Sequence, residues 1–492
     1  MGGDSTSTGP GSSTGSGGGG VLPAIRGECV PDTGTDYQVG DGQPFASLDD
    51  VPWNTLGPGD TVRIHPRAEP YHNKILISTR GAEGHPIKVC GIPSASGELP
   101  VIDAAGATTS PHQHWSGWVD LQDYGIVLIA TGGDSPSTFR PGFIEVDNLE
   151  LRGAKPGNHY TTNTGETREY TDRGTGLYIV NGDHVTARGN ILHDNSYGLF
   201  ALSKSEGEGG GEAQLSREIL IEGNTIFGNG VVGSDHRHNT YTEALGVTYQ
   251  FNYFGPLRDG AIGLNLKDRS AGTVIRYNWI DGGKRILDLV DAQEHAVDAL
   301  ADPRYHETFV YGNVLITGPG AASQVVHYGG DTIGYEQNFR KGTLYFSYNT
   351  VVTNHPIEEL WETTLVNLAT DDESVSMVGN VFWNQGTSTL NILRYGGHAD
   401  IGVNWITAGF GNAAEGFTGS LTGLSNLVVG TTPGLDPVTL VPLAGSPLIG
   451  GGLPLTGRAS DFPVELQFIP PGTVESRGAN GAMLDLGAYD SN

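Results

Sequence analysis

Short apolar runs interrupted by asparagine recur along the middle of the chain. A typical unit has a strand-like run, an asparagine and a second short apolar run, as in "ILIEGNTIFGNG" and "LYFSYNTVVTN". Asparagine tolerates the left-handed backbone region, so we expect each one at a sharp bend between two strands. Eight such asparagines stand 42, 34, 28, 26, 35, 36 and 31 residues apart, at Asn148, Asn190, Asn224, Asn252, Asn278, Asn313, Asn349 and Asn380.

Repeats of this length indicate a solenoid or a propeller. A propeller needs four strands per unit at steadier spacing, and the sequence has no recurring Trp-Asp signature. The variable spacing instead suits stacked coils that carry loop insertions. We therefore predict an all-β, right-handed parallel β-helix whose coils stack about 4.8 Å apart. The bend asparagines should form an internal ladder of amides.

The composition changes along the chain and suggests boundaries. Residues 21–115 should form an N-terminal cap and the first coils, 116–410 the β-helix body, and 411–492, rich in Pro and Gly, the C-terminal coils and an irregular closing cap. Residues 1–20 are almost all Gly, Ser and Thr, which predicts a flexible tether. The tether has no apolar signal-peptide core. We expect that an export signal is missing from this sequence and that the protein is secreted, periplasmic or displayed on a bacterial cell surface.

A second series of strand-like segments follows the asparagines and predicts a polar column on one face. In "AIGLNLKDR" (261–269), a period of two separates inward from outward side chains. The inward set is Ile262, Leu264 and Leu266, and the outward set is Asn265, Lys267 and Arg269. In the next segment, "RILDLVDA", Leu287 and Leu289 should point inward. Asp288 would then point outward, one strand spacing from Lys267.

The same alternation extends this column to other coils. It should continue through His327, Asn367 and Arg394, with His236, His238 and Tyr241 of "HRHNTYTEA" on the preceding side. The match between "VVHYGG" (325–330) and "ILRYGG" (392–397) is a second repeat that supports this register. We expect a shallow polar groove along the solenoid axis, a shape that suits a linear polymer.

Charge limits the partners that such a groove can have. The chain has 55 acidic and 27 basic residues, a net charge of -28, which argues against nucleic acid. No apolar run approaches the roughly 18 residues of a membrane span. Residues 255–285 nevertheless carry six basic and three acidic residues. A groove can hold such a local positive potential in an acidic protein, so we expect it to bind an acidic polysaccharide. We also expect the protein to be a monomer.

Cysteine and acidic residues offer little evidence for a cofactor. Cys29 and Cys90 are the only cysteines, too few and too far apart for the usual zinc spacing. A structural disulfide and two buried thiols both remain open. The acidic run "TDDES" (370–374) is most simply a solvated turn, with Ca²⁺ binding left open. No other cofactor is indicated.

The coils also resemble a known group of proteins. The asparagine-punctuated coils and the tail "SPLIGGG" followed by "LDLGAYD" resemble secreted bacterial right-handed β-helix proteins, many of which act on polysaccharides. Within the body, "NLKDRSAGTVIRYNWI" resembles the Lys-Ser, Arg-Tyr-Asn segment of β-helix lyases of the chondroitinase-B and alginate-lyase type. The resemblance implies β-elimination with Lys267 as the base. The family's partner arginine would lie in the next coil, where this chain has Asp288 and Asp291.

This chemistry selects the candidate residues. β-Elimination on a uronic acid needs a base for the proton beside the carboxylate and a group that neutralises that carboxylate. The candidate catalytic residues are Lys267 and Arg269, with His236, His238 and Tyr241 as an alternative proton-transfer set. The candidate substrate-binding residues are Asn265, Arg285, Asp288, His327 and Arg394.

Three other functions compete with the lyase. A glycoside hydrolase needs two carboxylates, and Asp288 with Asp291 or Glu243 could serve. A uronan C5-epimerase would share the fold and the proton-transfer groups, whereas a carbohydrate-binding solenoid would bind without turnover. A lyase product absorbs ultraviolet light, whereas a hydrolase releases reducing ends without that absorbance.

Overall fold

Three sheets wind together into one solenoid in the computed structural model of the protein, which describes residues 25–115, 119–208, 211–470, 472–478 and 483–491. Their strands pair in parallel, except that Thr167–Glu169 at the edge of one sheet pairs antiparallel with His159–Thr161. In the body, each coil contributes one strand to each sheet in turn. The predicted right-handed parallel β-helix is therefore confirmed. The predicted tether at 1–20 lies outside the described residues.

The sheets contain 13, 14 and 11 strands. Sheet 1 consists in spatial order of Asp36–Val39, Thr61–Ile64, Ile87–Gly91, Gly142–Asp147, Asp183–Arg188, Arg217–Glu222, Leu245–Gln250, Ala271–Arg276, Glu307–Tyr311, Thr343–Ser347, Ser374–Val378, His398–Ile401 and Ser420–Thr422. Sheet 2 consists of Thr167–Glu169, His159–Thr161, Ala107–Thr109, Asn73–Ile77, Gly125–Ile129, Thr175–Val180, Tyr197–Leu202, Thr240–Thr242, Leu266–Asp268, Leu287–Leu289, Gln324–Tyr328, Glu362–Leu368, Thr389–Tyr395 and Gly411–Ala413. Sheet 3 consists of Val101–Asp103, Glu150–Arg152, Ile191–His193, Thr225–Phe227, Tyr253–Phe254, Trp279–Asp281, Val314–Thr317, Thr350–Thr353, Val381–Asn384, Asn404–Thr407 and Leu427–Gly430.

Other elements are few and short. An antiparallel ribbon joins Leu466–Ile469 to Thr473–Ser476. The described residues contain one α-helix, Ala296–Ala301. Short 3-10 turns occupy Leu48–Asp50, Trp53–Thr55, Val119–Tyr124, Pro303–His306, Glu336–Asn338, Leu424–Asn426 and Gly457–Asp461. No helix among the described residues is long and apolar enough to cross a membrane.

Stacked asparagine side chains line one inner bend of the solenoid. For example, the backbone N–H and the Nδ2 of Asn278 both donate to Oδ1 of Asn313, each at 2.9 Å. The Nδ2 of Asn278 also donates to the carbonyl of Tyr249 at 3.0 Å. Each buried amide thus pairs with backbone groups that would otherwise lack partners. The ladder runs through Asn190, Asn224, Asn252, Asn278, Asn313, Asn349, Asn380 and Asn404.

The predicted start of this ladder is wrong. Asn148 does not stack with the others; its side chain exchanges two hydrogen bonds with the backbone of Gly27, at 3.1 and 2.8 Å. Leu149 takes the ladder position in that coil, and its N–H donates to Oδ1 of Asn190 at 3.0 Å. Asn404, which the repeat did not include, is the last member of the ladder.

The predicted backbone conformation of the ladder asparagines is also wrong. The residue before the asparagine takes the left-handed conformation, as at Tyr277 with φ 56° and Tyr348 with φ 53°. That residue turns the chain, which leaves the asparagine side chain free to point inward and reach the next coil. Asn148 itself has φ 57°, because it occupies the turning position and not the ladder position.

Both ends of the described chain pack on the outside of this bend. The N-terminal segment contacts Asn148, and Cys29 forms a disulfide with Cys90 of sheet 1, one of the two states that the sequence allows. Near the other end, Phe468 packs against the aromatic rings of Phe251 and Tyr277. The two terminal segments therefore cover the outer face of the bend at these positions and leave sheet 2 open.

Asn278→Ala tests the ladder. The substitution removes the acceptor of two hydrogen bonds from Asn252, at 3.0 and 2.9 Å, and leaves buried donors without partners. We expect the free energy of unfolding in urea to fall by about 2–4 kcal/mol. Asn354→Ala is the control, because that exposed side chain makes no hydrogen bond with the described residues. Equal losses in the two variants would contradict the importance of the ladder.

Candidate active site

A column of side chains crosses sheet 2 from coil to coil. The strand pairing aligns Phe200, Tyr241, Lys267, Asp288, His327, Asn367 and Arg394. From Lys267 to Arg394 this is the register that the period-two pattern predicts. Paired strands lie about 4.8 Å apart, so neighbouring members of the column are within reach of each other.

A cleft of about 920 Å³ opens over the middle of the column. Its basic lining residues are Arg173, Lys204, Arg237, Lys267, Arg269, Lys284 and Arg285, and its acidic ones are Asp235, Asp288, Glu294 and Asp331. Seven cations therefore face four carboxylates, in a chain whose net charge is -28. The charged residues that line the cleft are thus mostly basic, although the net charge of the whole chain is negative, as the charge pattern of residues 255–285 predicted.

Lys267 and Arg269 are joined through a shared carboxylate. The Nζ of Lys267 donates to Asp288 at 2.7 Å and to Asp331 at 2.8 Å. The Nη2 of Arg269 donates to the other oxygen of Asp331 at 2.9 Å, and its Nη1 lies 3.3 Å from Asp291 Oδ1. The two cationic side chains are only 11% and 5% exposed. Burial of two such charges is tolerated because each has carboxylate partners.

Asp288 lies beneath this pair and stays ionised. Its Oδ1 accepts from Arg285 at 2.9 Å and lies 3.0 Å from Nδ1 of His327. Burial opposes ionisation, but Lys267, His327 and Arg285 outweigh it and hold the pKa of Asp288 well below its usual range. Asp288 therefore neutralises the cations from within the wall of the solenoid.

Asp331 is the more accessible partner of the two cations. Burial opposes its ionisation, but Lys267 and then Arg269 lower its pKa to about 2. Its side chain is 26% exposed, against 1% for Asp288. The loop that carries Asp331 follows strand Gln324–Tyr328. Asp331 is thus a charged group at the surface of the cleft floor.

A second cluster of titratable groups adjoins the cleft. The hydroxyl of Tyr241 donates to Glu243 Oε1 at 2.6 Å, and Glu243 Oε2 lies 3.5 Å from His295 Nδ1. Burial raises the pKa of Glu294 to about 7, and the negative charge of Glu243 adds to the effect. Burial opposes ionisation of Glu243 too, but the nearby His295 and the hydrogen bond from Tyr241 lower its pKa. Glu294 therefore titrates near neutral pH beside a permanent carboxylate, a pKa suited to proton transfer.

Tyr241 and His238 are held in their uncharged forms. Burial, and then the charge of Glu243, raise the pKa of Tyr241 well above its usual range. Burial and the charge of Lys267 lower the pKa of His238 well below its usual range. The Nδ1 of His238 accepts from the backbone N–H of Leu264 at 3.0 Å, so the neutral ring carries its hydrogen on Nε2. His238 can therefore donate a hydrogen bond from Nε2, whereas the one hydroxyl hydrogen of Tyr241 is already donated to Glu243.

Two side-chain directions predicted from the alternation are wrong. Asn265, expected to point outward, is buried in a second amide stack, where its Oδ1 accepts from Asn239 at 2.5 Å. Ile262, expected inward, is 40% exposed and lines the cleft. The strand begins only at Leu266, so the alternation does not extend back through the preceding bend.

The remaining predicted residues divide between the cleft and its surroundings. Lys267, Arg269, His238, Tyr241, Arg285 and Asp288 all line the cleft. His236 lies on its rim with a side chain 81% exposed. His327 supports Asp288 from the column without lining the cleft, and Arg394 donates to Ser323 at 3.1 Å further along the solenoid. The predicted polar column is therefore longer than the cleft.

The sequence reasoning missed three carboxylates. Asp268 points inward between Lys267 and Arg269, and pairs with Arg340 at 2.9 Å, both side chains being fully buried. The alternation itself contains that signal, because a charge at an inward position requires a partner. Glu294 and Asp331 lie in loops, where no periodic pattern indicates a side-chain direction.

Metal binding has no geometric support in the described part of the chain. There, no group of three or more His, Cys, Asp or Glu side chains is arranged to hold a metal ion. In the run 370–374, Glu373 is buried and accepts from the backbone N–H of Thr370 at 2.7 Å. Ca²⁺ binding at this turn stays a prediction.

Comparisons with known proteins give structural likeness only. No model of a known protein family matches the sequence, and no curated protein matches it. The chain is similar in structure to pectate lyase Pel9A, with TM-score 0.48 and 13% identity over 93% of this chain and 97% of that one. It is also similar to an alginate lyase from Paenibacillus sp. str. FPU-7, with TM-score 0.44 and 11% identity over 69% of this chain and 93% of that one. A GH136 lacto-N-biosidase from Eubacterium ramulus has TM-score 0.41 and 13% identity over 81% of this chain and 68% of that one. These scores and identities are too low to carry an argument about activity.

Proposed function

We propose that this protein is an enzyme that cleaves a uronic-acid-containing polysaccharide by β-elimination in the cleft over sheet 2. The observation that carries the proposal is the reversal of charge: seven Lys and Arg residues face four Asp and Glu residues in a chain of net charge -28. Such a cleft concentrates an anionic polymer at one place on a surface that otherwise repels it.

We assign Lys267 and Arg269 to the substrate's carboxylate. The family resemblance makes Lys267 the base, but a base needs a free lone pair. Here the Nζ of Lys267 is engaged by two carboxylates, Asp288 and Asp331, so Lys267 is better placed as a charge partner than as a base. A lysine and an arginine side by side are suited to stabilise the negative charge that develops on a uronate when its neighbouring proton leaves.

Proton transfer then falls to Glu294 and Tyr241. Ionised Glu294, with a pKa of about 7, takes the proton beside the carboxylate. The electron pair of that C–H bond forms a carbon–carbon double bond as the bond to the glycosidic oxygen breaks. Tyr241, whose raised pKa keeps its phenol protonated, transfers to the leaving oxygen the proton that it donates to Glu243 in the free enzyme. Glu243 accepts from Tyr241, and its charge acts on Glu294, so it can relay the proton on Glu294 back to Tyr241.

Hydrolysis is the second candidate, and one specific observation favours it. The cleft sets the pKa of Glu294 at about 7 and that of Asp331 at about 2. A protonated and an ionised carboxyl in one cleft are the general acid and the base or nucleophile of a glycoside hydrolase. Glu294 must therefore be ionised to act in β-elimination and protonated to act in hydrolysis.

Lys267→Ala tests the site and the reaction together. We expect polyuronates to yield products that absorb ultraviolet light with the unaltered protein, and kcat/KM to fall by about 100-fold or more in the variant, since a charge that stabilises the transition state is lost. Lys267→Arg should retain more activity, and thermal melting verifies that both variants fold.

Lys284→Ala is the matched control, because it removes an exposed lysine from the same cleft lining. Its kcat/KM should fall by no more than about threefold, since an exposed charge is screened by salt and the other six cations of the cleft remain. New reducing ends without ultraviolet absorbance would show hydrolysis. Unchanged turnover in Lys267→Ala would place the chemistry elsewhere.

The pH profile of kcat/KM, which reports the free enzyme, distinguishes the two roles of Glu294. As a base, Glu294 acts when deprotonated, so the rate should rise as the pH passes through about 7. Glu294→Gln should abolish turnover, while the exposed Glu206→Gln should leave the profile unchanged. A rate that falls through the same pH range in the unaltered protein would indicate a general acid, and would support hydrolysis over β-elimination.

A further inference from the structure

We propose that Asp331 is an internal substitute for the substrate's carboxylate, and that it restricts the cleft to sugars that carry one. This inference rests on the proposed function of the cleft and deepens it. It adds the group that the substrate must displace and the chemical reason why a neutral sugar fails to do so. Three features of the cleft support it.

The first feature is the geometry of the contact. One carboxylate oxygen of Asp331 accepts from Lys267 at 2.8 Å, and the other accepts from Arg269 at 2.9 Å. A carboxylate that bridges two cations with its two oxygens makes strong, charge-assisted hydrogen bonds. The carboxylate of a uronic acid has the same shape and charge, so it can make the same two contacts.

The second feature is access. Three carboxylates contact the two cations, but the side chains of Asp288 and Asp291 are only 1% and 0% exposed. Asp331 is 26% exposed and lies on the cleft side of the pair. Ile333, two residues further along the loop, is 94% exposed. Asp331 is therefore the one of these three that a ligand in the cleft can replace.

The third feature is the anchoring of the loop. The backbone N–H of Asp331 donates to Asp291 Oδ1 at 2.7 Å. The next residue, Thr332, accepts from Gln293 Nε2 through its hydroxyl at 2.8 Å. The Thr332 hydroxyl also donates to Asp331 Oδ1, but at 3.4 Å, so the shorter bonds to Asp291 and Gln293 hold the loop without the Asp331 carboxylate. The side chain can rotate away from the cations while its loop stays in place.

Charge balance explains why only a sugar with a carboxylate can replace Asp331. The network has three cations and three carboxylates, namely Lys267, Arg269, Arg285, Asp288, Asp291 and Asp331. Rotation of Asp331 leaves one nearly buried positive charge without compensation, which is costly. A uronate carboxylate restores the balance, whereas a neutral sugar does not. We expect a neutral polymer to leave Asp331 in place and the cations covered.

Asp331→Asn and Asp235→Asn form a matched pair for the test. Both remove one negative charge from the cleft lining, but Asp235 lies 3.5 Å from His236 and makes no contact with Lys267 or Arg269 in the described structure. Calorimetric titration with galacturonate, glucuronate and the neutral sugars galactose and glucose measures binding without turnover. We expect Asp331→Asn to bind at least one uronate about tenfold more tightly than the unaltered protein, since its internal competitor is gone.

Asp235→Asn should change uronate affinity by no more than about twofold, since rim charges affect affinity little. Neither variant should gain affinity for the neutral sugars. Equal gains for uronate in the two variants would overturn the inference, because the effect would then be one of net charge. Asp331→Ser, checked by thermal melting, provides a second removal of the carboxylate in case the asparagine variant is unstable.

The same measurements separate this inference from the proposed reaction. Tighter uronate binding by Asp331→Asn supports the inference even if no polymer is cleaved, and in that case only the proposed function fails. Unchanged uronate affinity combined with complete loss of turnover would identify Asp331 as a catalytic carboxylate. That result would overturn the inference.

Discussion

The register between coils is the constraint on which the rest of the structure depends. Parallel pairing places equivalent residues of successive coils about 4.8 Å apart, and a shift by one residue would reverse every side chain. The asparagine ladder fixes this register at one bend, because each amide bonds both to the next asparagine and to the backbone of the preceding coil. With the register fixed, Lys267, Asp288 and His327 meet on sheet 2 although 21 and 39 residues separate consecutive members.

The charged side chains of the cleft are held in place because they are buried and paired. Lys267 and Arg269 are nearly buried, and they are tolerated because Asp288, Asp291 and Asp331 surround them. Beneath them, Arg340 compensates the inward-pointing Asp268. Each such pair is costly to break, since a lone buried charge remains. The charges are therefore held in fixed positions, as the proposed stabilisation of a uronate's developing charge requires.

The same burial separates the titration of neighbouring carboxyls. Asp331 lies against two cations and is ionised, while Glu294 lies beside the negative Glu243 and retains its proton up to about neutral pH. Protein environment alone thus gives one cleft both an anion and a proton-transfer group. This division is compatible with β-elimination and with hydrolysis, and the sign of the pH dependence separates them.

The sequence by itself determined the solenoid and most of the column from Lys267 to Arg394, because stacked coils repeat short local patterns and a strand alternates its side chains with period two. It failed at Asn148 and Asn265, where the chain turns and the alternation ends. Only the tertiary structure decided that Asp331 bridges the two cations and that Glu294 lies beside Glu243. Those side chains belong to loops, whose direction is set by contacts with distant coils and leaves no periodic trace in the sequence.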